Sequence, residues 1–159
     1  MNFAAILCRY GSEGTNMHFL GPDALEWMGT VYRILLGAGE TGGAVAVFES
    51  VTGPGEGPPL HRHGDAHETF VILSGHVEFW LEGARMMRGP GQVAFVPMGQ
   101  EHSFRVCDEA PARMLALLTP GGFEKFFREM AAGASACPRT RAECVLWPKH
   151  INWSSPERR

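Results

Sequence analysis

The chain has 159 residues, and its 14 Lys and Arg against 17 Asp and Glu give a formal net charge of −3, a size that predicts one domain whose core stands without disulfides. No basic run is long enough to follow a phosphate backbone, so nucleic acid is not expected as a partner. The apolar run Phe3 to Cys8 is too short for a bilayer, lacks preceding basic residues, and has Leu7 where a lipoprotein signal needs a small residue, so a cytoplasmic protein without a membrane anchor is predicted.

In chain order, residues 1–30 read as an N-terminal segment packing on the β-structure of residues 31–119. From 31 to 119 short apolar stretches alternate with Gly- and Pro-rich turns, the pattern of an all-β barrel or sandwich. The predicted strands are Val31–Leu36, Ala44–Val51, Leu60–His63, Glu68–Ser74, His76–Leu81, Gln92–Val96, Glu101–Cys107 and Arg113–Leu118. Turn signals separate them, among them Gly37-Ala38-Gly39, Gly53-Pro54-Gly55, Gly64-Asp65, Gly89-Pro90-Gly91 and Pro97-Met98-Gly99. Alternation in Val77 to Glu82 points Val77, Phe79 and Leu81 inward and Trp80 outward; in Arg113 to Leu118 it sends Met114, Ala116 and Leu118 inward. Leu115 and Leu117 then face out with Trp80, an apolar surface that calls for the terminal segments or a second subunit as cover, and a homodimer is predicted.

Beyond Thr119 the period becomes helical. Phe123, Phe126, Phe127 and Met130 fall on one face over 120–132, which predicts a short amphipathic helix laid against the outside of the barrel. Residues 133–159 show no period and read as an irregular tail. The four cysteines, Cys8, Cys107, Cys137 and Cys144, lack the close pairs of a zinc site and read as reduced thiols.

The chemistry concentrates at four residues. His61 and His63, two apart on a strand, share a face, and two adjacent inward imidazoles call for a shared metal ion. On a straight strand Glu68 would face away, but the Gly64-Asp65 turn reverses the chain and aims its carboxylate back at the same point. His102 arrives from a third strand after the Pro97-Met98-Gly99 turn. Three imidazoles and a carboxylate suit one divalent transition ion (Fe, Ni, Mn, Co, Cu or Zn) and leave coordination positions open, whereas magnesium and calcium prefer oxygen. Parity with Glu68 turns Phe70 and Ile72 inward, and parity with His102 does the same for Phe104 and Val106. With Phe79 from the neighbouring strand they predict an apolar substrate pocket. His67, beside Glu68, is an alternative ligand by element alone; His18, His76 and His150 fit no pattern.

Two motifs carry a resemblance. Gly55-x5-His61-x-His63-x4-Glu68-x6-Gly75 and Gly91-x5-Pro97-x-Gly99-x2-His102 are similar in spacing and order to the paired signatures of the cupin family, with one departure at Val106, where Asn is usual. The resemblance implies an antiparallel jelly-roll barrel, the double-stranded β-helix, and favours Glu68 over His67 as ligand. With Tyr32-Arg33-Ile34-Leu35, Pro58-Pro59-Leu60 and Pro120-Gly121-Gly122-Phe123, the chain most resembles small single-domain quercetin 2,3-dioxygenase-like cupins. That implies a metal-dependent dioxygenase acting with dioxygen on a hydrophobic or aromatic hydroxylated small molecule, flavonol-like or an enediol, with Glu68 as catalytic base. The alternatives are a cupin that binds metal or a small ligand without turnover, and a zinc-type isomerase or hydrolase.

Overall fold

The computed structural model describes residue 20, residues 23–27 and 29–131, and the backbone of residues 151–153, with side chains as far as residue 129. Cys8, Cys137, Cys144, His18, His150, Trp147 and the side chain of Met130 lie outside the described residues, as does most of the 1–30 segment and of the 133–159 tail.

Eleven strands and two short helices are described: β1 Leu25–Trp27, β2 Thr30–Leu36, α1 Ala38–Thr41, β3 Ala46–Thr52, β4 His61–His63, β5 His67–Ser74, β6 Val77–Leu81, β7 Ala84–Arg88, β8 Val93–Val96, β9 His102–Val106, β10 Ala112–Thr119, α2 Glu124–Ala131 and β11 Ile151–Trp153. They form two antiparallel sheets, β1-β2-β3-β10-β5-β8 and β11-β4-β9-β6-β7. All eight predicted strands are present. Four elements escape the sequence reading. β1 is three residues long, too short for a period to register. β7 has no apolar alternation because it is an edge strand, exposed along most of its length. α1 occupies the predicted Gly37-Ala38-Gly39 turn. β11 is a strand within the stretch read as irregular tail, and its backbone pairs with β4, Ile151 opposite His63 and Trp153 opposite His61.

The inward residues of both sheets make one core. Phe48, Ile72, Val77, Phe79, Val106, Met114 and Leu118 are each at most 2 % exposed, so the alternation read for β6 and β10 matches the pleat. Leu115 and Leu117 on the opposite side of β10 are half-buried, and Trp80 is covered by the guanidinium groups of Arg85 and Arg105, 5.7 and 5.4 Å from its ring centre.

The position of α2 corrects the expectation that its stripe lies outside the barrel. The helix turns its phenylalanines into the core, where Phe127 is 4 % exposed, lies tilted on Tyr32 and meets Phe48 edge-on, while Phe126 meets Trp27 edge-on. The reason is the connection. The Gly121 amide donates to the Gly43 carbonyl at 2.9 Å, and a Cβ on Gly121 would stand 2.7 Å from the Val45 backbone, so only glycine lets the chain turn this tightly from β10 onto the barrel end. The Glu124 carboxylate, itself buried, then accepts from the amides of Ala38 and Gly122 at 2.8 and 2.9 Å and ties α2 to α1.

Candidate metal centre

Backbone contacts fix the strand that carries the two histidines. Gly57 passes so close to β9 that a Cβ there would lie 1.9 Å from the Phe104 carbonyl oxygen. The Ser103 hydroxyl donates to the Pro58 carbonyl at 2.7 Å, and at the far end of β4 the Gly99 amide donates to the His63 carbonyl at 2.8 Å. Within β4, His61 and His63 are buried and Arg62 is exposed, as a two-residue period requires. His61 lies opposite His102 on β9. Glu68 is the second residue of β5, between Val96 on β8 and Leu118 on β10. The turn over Gly64 and Asp65 therefore puts β4 and β5, two of the three ligand-bearing strands, in different sheets.

The four side chains converge: one donor atom from each of His61, His63, Glu68 and His102 lies within 4.8 Å of the others, and all four residues are buried. Their hydrogen bonds fit a cation at the centre. His61 Nδ1 lies 2.8 Å from the Pro59 carbonyl, and His102 Nδ1 lies 3.1 Å from that of Gln100. A carbonyl only accepts, so each Nδ1 carries the proton and each Nε2 presents a lone pair inward. His102 Nε2 nonetheless stands 2.9 Å from Glu68 Oε2. Two acceptors at that distance repel unless a proton or a metal ion lies between them. His63 Nε2 is 3.1 Å from the same oxygen but off the line a hydrogen bond needs, and among the described residues neither of its buried ring nitrogens has a hydrogen-bond partner. Lone pairs aimed at one point, with a carboxylate among them, form a donor set that suits a divalent transition ion.

The electrostatics divide the cluster into a neutral imidazole and a charge-paired one. Burial holds His61 well below the ordinary imidazole range, reinforced by His102 and His63 and only partly opposed by Glu68, so this imidazole is neutral and able to ligate. Burial also lowers His63, but the adjacent Glu68 carboxylate outweighs it and the net shift is upward. Burial would raise Glu68, yet His63 and His102 pull it well below the usual carboxylate range. The carboxylate is ionised at any pH at which the protein would be studied.

The cluster opens onto a small cavity of about 40 Å³ that is partly open to solvent. Of the predicted pocket residues, Phe70 and Phe104 line it. Ile72, Phe79 and Val106 do not: they are buried in the core beyond. Each two-residue step along a strand moves a side chain about 6–7 Å deeper, so Phe70 already closes the floor at which parity places Ile72. His67 is outside the cluster. Its Nδ1 accepts from the Met98 amide at 3.0 Å and its ring stacks on Phe95. The sequence reading missed the wall formed by Trp27, Tyr32, Phe48, Ser50, Phe123 and Phe127. Phe123 touches the cluster itself, edge-on to His63 with ring centres 5.0 Å apart. The helical Phe stripe was the available signal; the place where it docks was not readable.

Comparison with known proteins bears on the family and the fold. Residues 48–118 match the cupin domain model. A quercetin 2,3-dioxygenase of Bacillus subtilis is 33% identical over 100 residues, covering 63% of this chain and 29% of that protein. The dimethylsulfoniopropionate lyase DddQ of Ruegeria pomeroyi is 43% identical over 51 residues, covering 31% of this chain and 25% of that one. The chain thus spans between a quarter and a half of the length of the curated relatives it matches. Among solved structures, a predicted oxalate decarboxylase from Thermotoga maritima superposes with a TM-score of 0.59 at 20% identity, covering 68% of this chain and 99% of that one. The solved structure of DddQ from Ruegeria pomeroyi superposes with a TM-score of 0.50 at 31% identity, covering 57% of this chain and 46% of that one.

Proposed function

The chain belongs to the cupin superfamily, and from that premise we propose that it is a metal-dependent dioxygenase for a hydrophobic or aromatic hydroxylated small molecule, flavonol-like or an enediol. The observation that carries this is the convergence of His61, His63, Glu68 and His102 within 4.8 Å, with the first three lining an aromatic cavity. The similarity to a quercetin 2,3-dioxygenase supports the reaction class. A divalent transition ion (Fe, Ni, Mn, Co, Cu or Zn) held by these four residues would supply Lewis acidity toward a substrate oxygen and an open position for dioxygen.

The chain's own residues supply the rest. Glu68, ionised and adjacent to the ligand nitrogens, is a weak base on its own and would take the proton of a substrate hydroxyl that the bound ion acidifies. Phe70, Phe104 and Phe123 line the cavity and give an apolar surface for a flat ring. His61 and His102 are held in one tautomer by the Pro59 and Gln100 carbonyls, so both present Nε2 to the ion. We place this activity in the cytoplasm and in a homodimer. No helix among the described residues is long and apolar enough to cross a membrane.

A second reading has an observation of its own. An uncharged wall containing Trp27, Tyr32, Phe123 and Phe127 suits a small onium cation, and one relative is a dimethylsulfoniopropionate lyase. Metal analysis of the untagged protein, then oxygen uptake with flavonols and enediols, separates the readings. Bound metal with oxygen consumption supports the dioxygenase. Bound metal with no uptake favours the lyase, a zinc-type isomerase or hydrolase, or a binding protein without turnover.

A further inference from the structure

The cavity has a polar feature that an apolar pocket does not explain. Ser50 on β3 and Tyr32 on β2 are cross-strand partners on the inward face, and both line the cavity that holds the His and Glu cluster. Ser50 is 3 % exposed. Among the described residues its hydroxyl has no hydrogen-bond partner, whereas the next inward pair, Thr30 and Thr52, satisfy each other at 3.1 Å. A hydroxyl on the cavity wall without a partner in the protein is free to engage an oxygen that enters the cavity. Burial pushes the Tyr32 phenol far above its ordinary value, against a hydrogen bond with the Thr30 side chain, so the phenol stays protonated and keeps a proton to donate beside Ser50.

We propose that Ser50 and Tyr32 form a second anchor of the substrate site, binding a neutral oxygen acceptor at the end of the molecule remote from the metal-bound oxygen. This deepens the metal-site reading above and rests on it. The substrate class is thereby narrowed to molecules with an ionisable hydroxyl at one end, a flat apolar body, and a carbonyl, ether or hydroxyl oxygen at the other. A distal carboxylate or phosphate is disfavoured. No Lys or Arg lines the cavity among the described residues, and a buried anion without a counter-charge is costly.

Three probes sharing one chelating diol test this: catechol, protocatechualdehyde with a neutral carbonyl, and protocatechuate with a carboxylate. Each is titrated into the cobalt-loaded protein, with the visible cobalt spectrum as the readout. The parent should prefer the aldehyde over catechol, and protocatechuate should bind no better than catechol. In Ser50→Ala that preference should shrink about threefold to tenfold, the loss expected for one hydrogen bond, while catechol affinity is unchanged. Tyr32→Phe should act in the same direction. An aldehyde-to-catechol ratio equal in the parent and both variants overturns this inference alone. Absence of cobalt uptake overturns the metal reading, and this inference with it.

Discussion

At the scale of single residues, the site depends on which atoms have no other partner. Among the described residues neither buried ring nitrogen of His63 has a hydrogen-bond partner, and His102 faces a carboxylate oxygen at 2.9 Å, whereas His67 is occupied by the Met98 amide. Alanine at His61, His63 or His102 should therefore each abolish stoichiometric metal, while His67→Ala retains it, as read by elemental analysis of the purified variants. Full occupancy in His61→Ala with loss in His67→Ala would reverse the assignment. Glu68→Gln keeps an oxygen donor but removes the charge and the basicity. At matched metal content it should lower turnover about 10²–10⁴-fold, the usual cost of a positioned base, and turnover equal to the parent would make Glu68 a ligand only. The raised His63 adds a pH dependence. Its proton must leave before the imidazole can ligate, so metal affinity should fall as pH drops through and below neutrality, with proton release on uptake detectable by calorimetry in buffers of different ionisation enthalpy. Affinity independent of pH across that range would remove His63 from the ligand set.

At the scale of elements, close backbone approaches position the site. A Cβ at Gly57 would meet the Phe104 carbonyl oxygen at 1.9 Å, so Gly57→Ala must push β4 away from β9. It should lower stability by about 1–3 kcal/mol or more, in the range of overpacked cores, and weaken metal binding with it; an unchanged melting temperature would mean that the loop yields freely. Glu124→Ala leaves the Ala38 and Gly122 amides without their acceptor and should cost about 1–3 kcal/mol, measured by thermal unfolding. A melting temperature equal to the parent's would show that α2 does not depend on this tie. Legibility from sequence divides along the same line. The metal cluster could be read because a two-residue strand period and one turn determine where His61, His63 and Glu68 point. The cavity wall could not, because Trp27, Tyr32, Ser50 and the α2 phenylalanines meet the cluster only through the packing of separate elements. Three-residue β1 and β11 and the edge strand β7 left no period to find.

At the scale of the whole molecule, the two sheets and their buried rows arise from the alternation of Val, Phe and Leu between turn residues, and the jelly roll was legible for that reason. What covers the outer face of the six-stranded sheet was not. Val93 and Phe95 on β8 and Leu73 on β5 are exposed beside half-buried Leu115 and Leu117, while Arg33 and Arg113 fold over the buried Glu49 on the same face. A contiguous apolar surface of this kind is the basis for expecting a homodimer. Light scattering at micromolar concentration should give twice the chain mass, and a monomeric mass would assign the cover to the terminal segments. The central claim concerns the ion. X-ray absorption on the metal-loaded protein should show one ion per chain with only nitrogen and oxygen neighbours at about 2.0–2.2 Å, and the outer-shell pattern of three imidazoles. A sulfur shell, or an unchanged spectrum in His102→Ala, would contradict it.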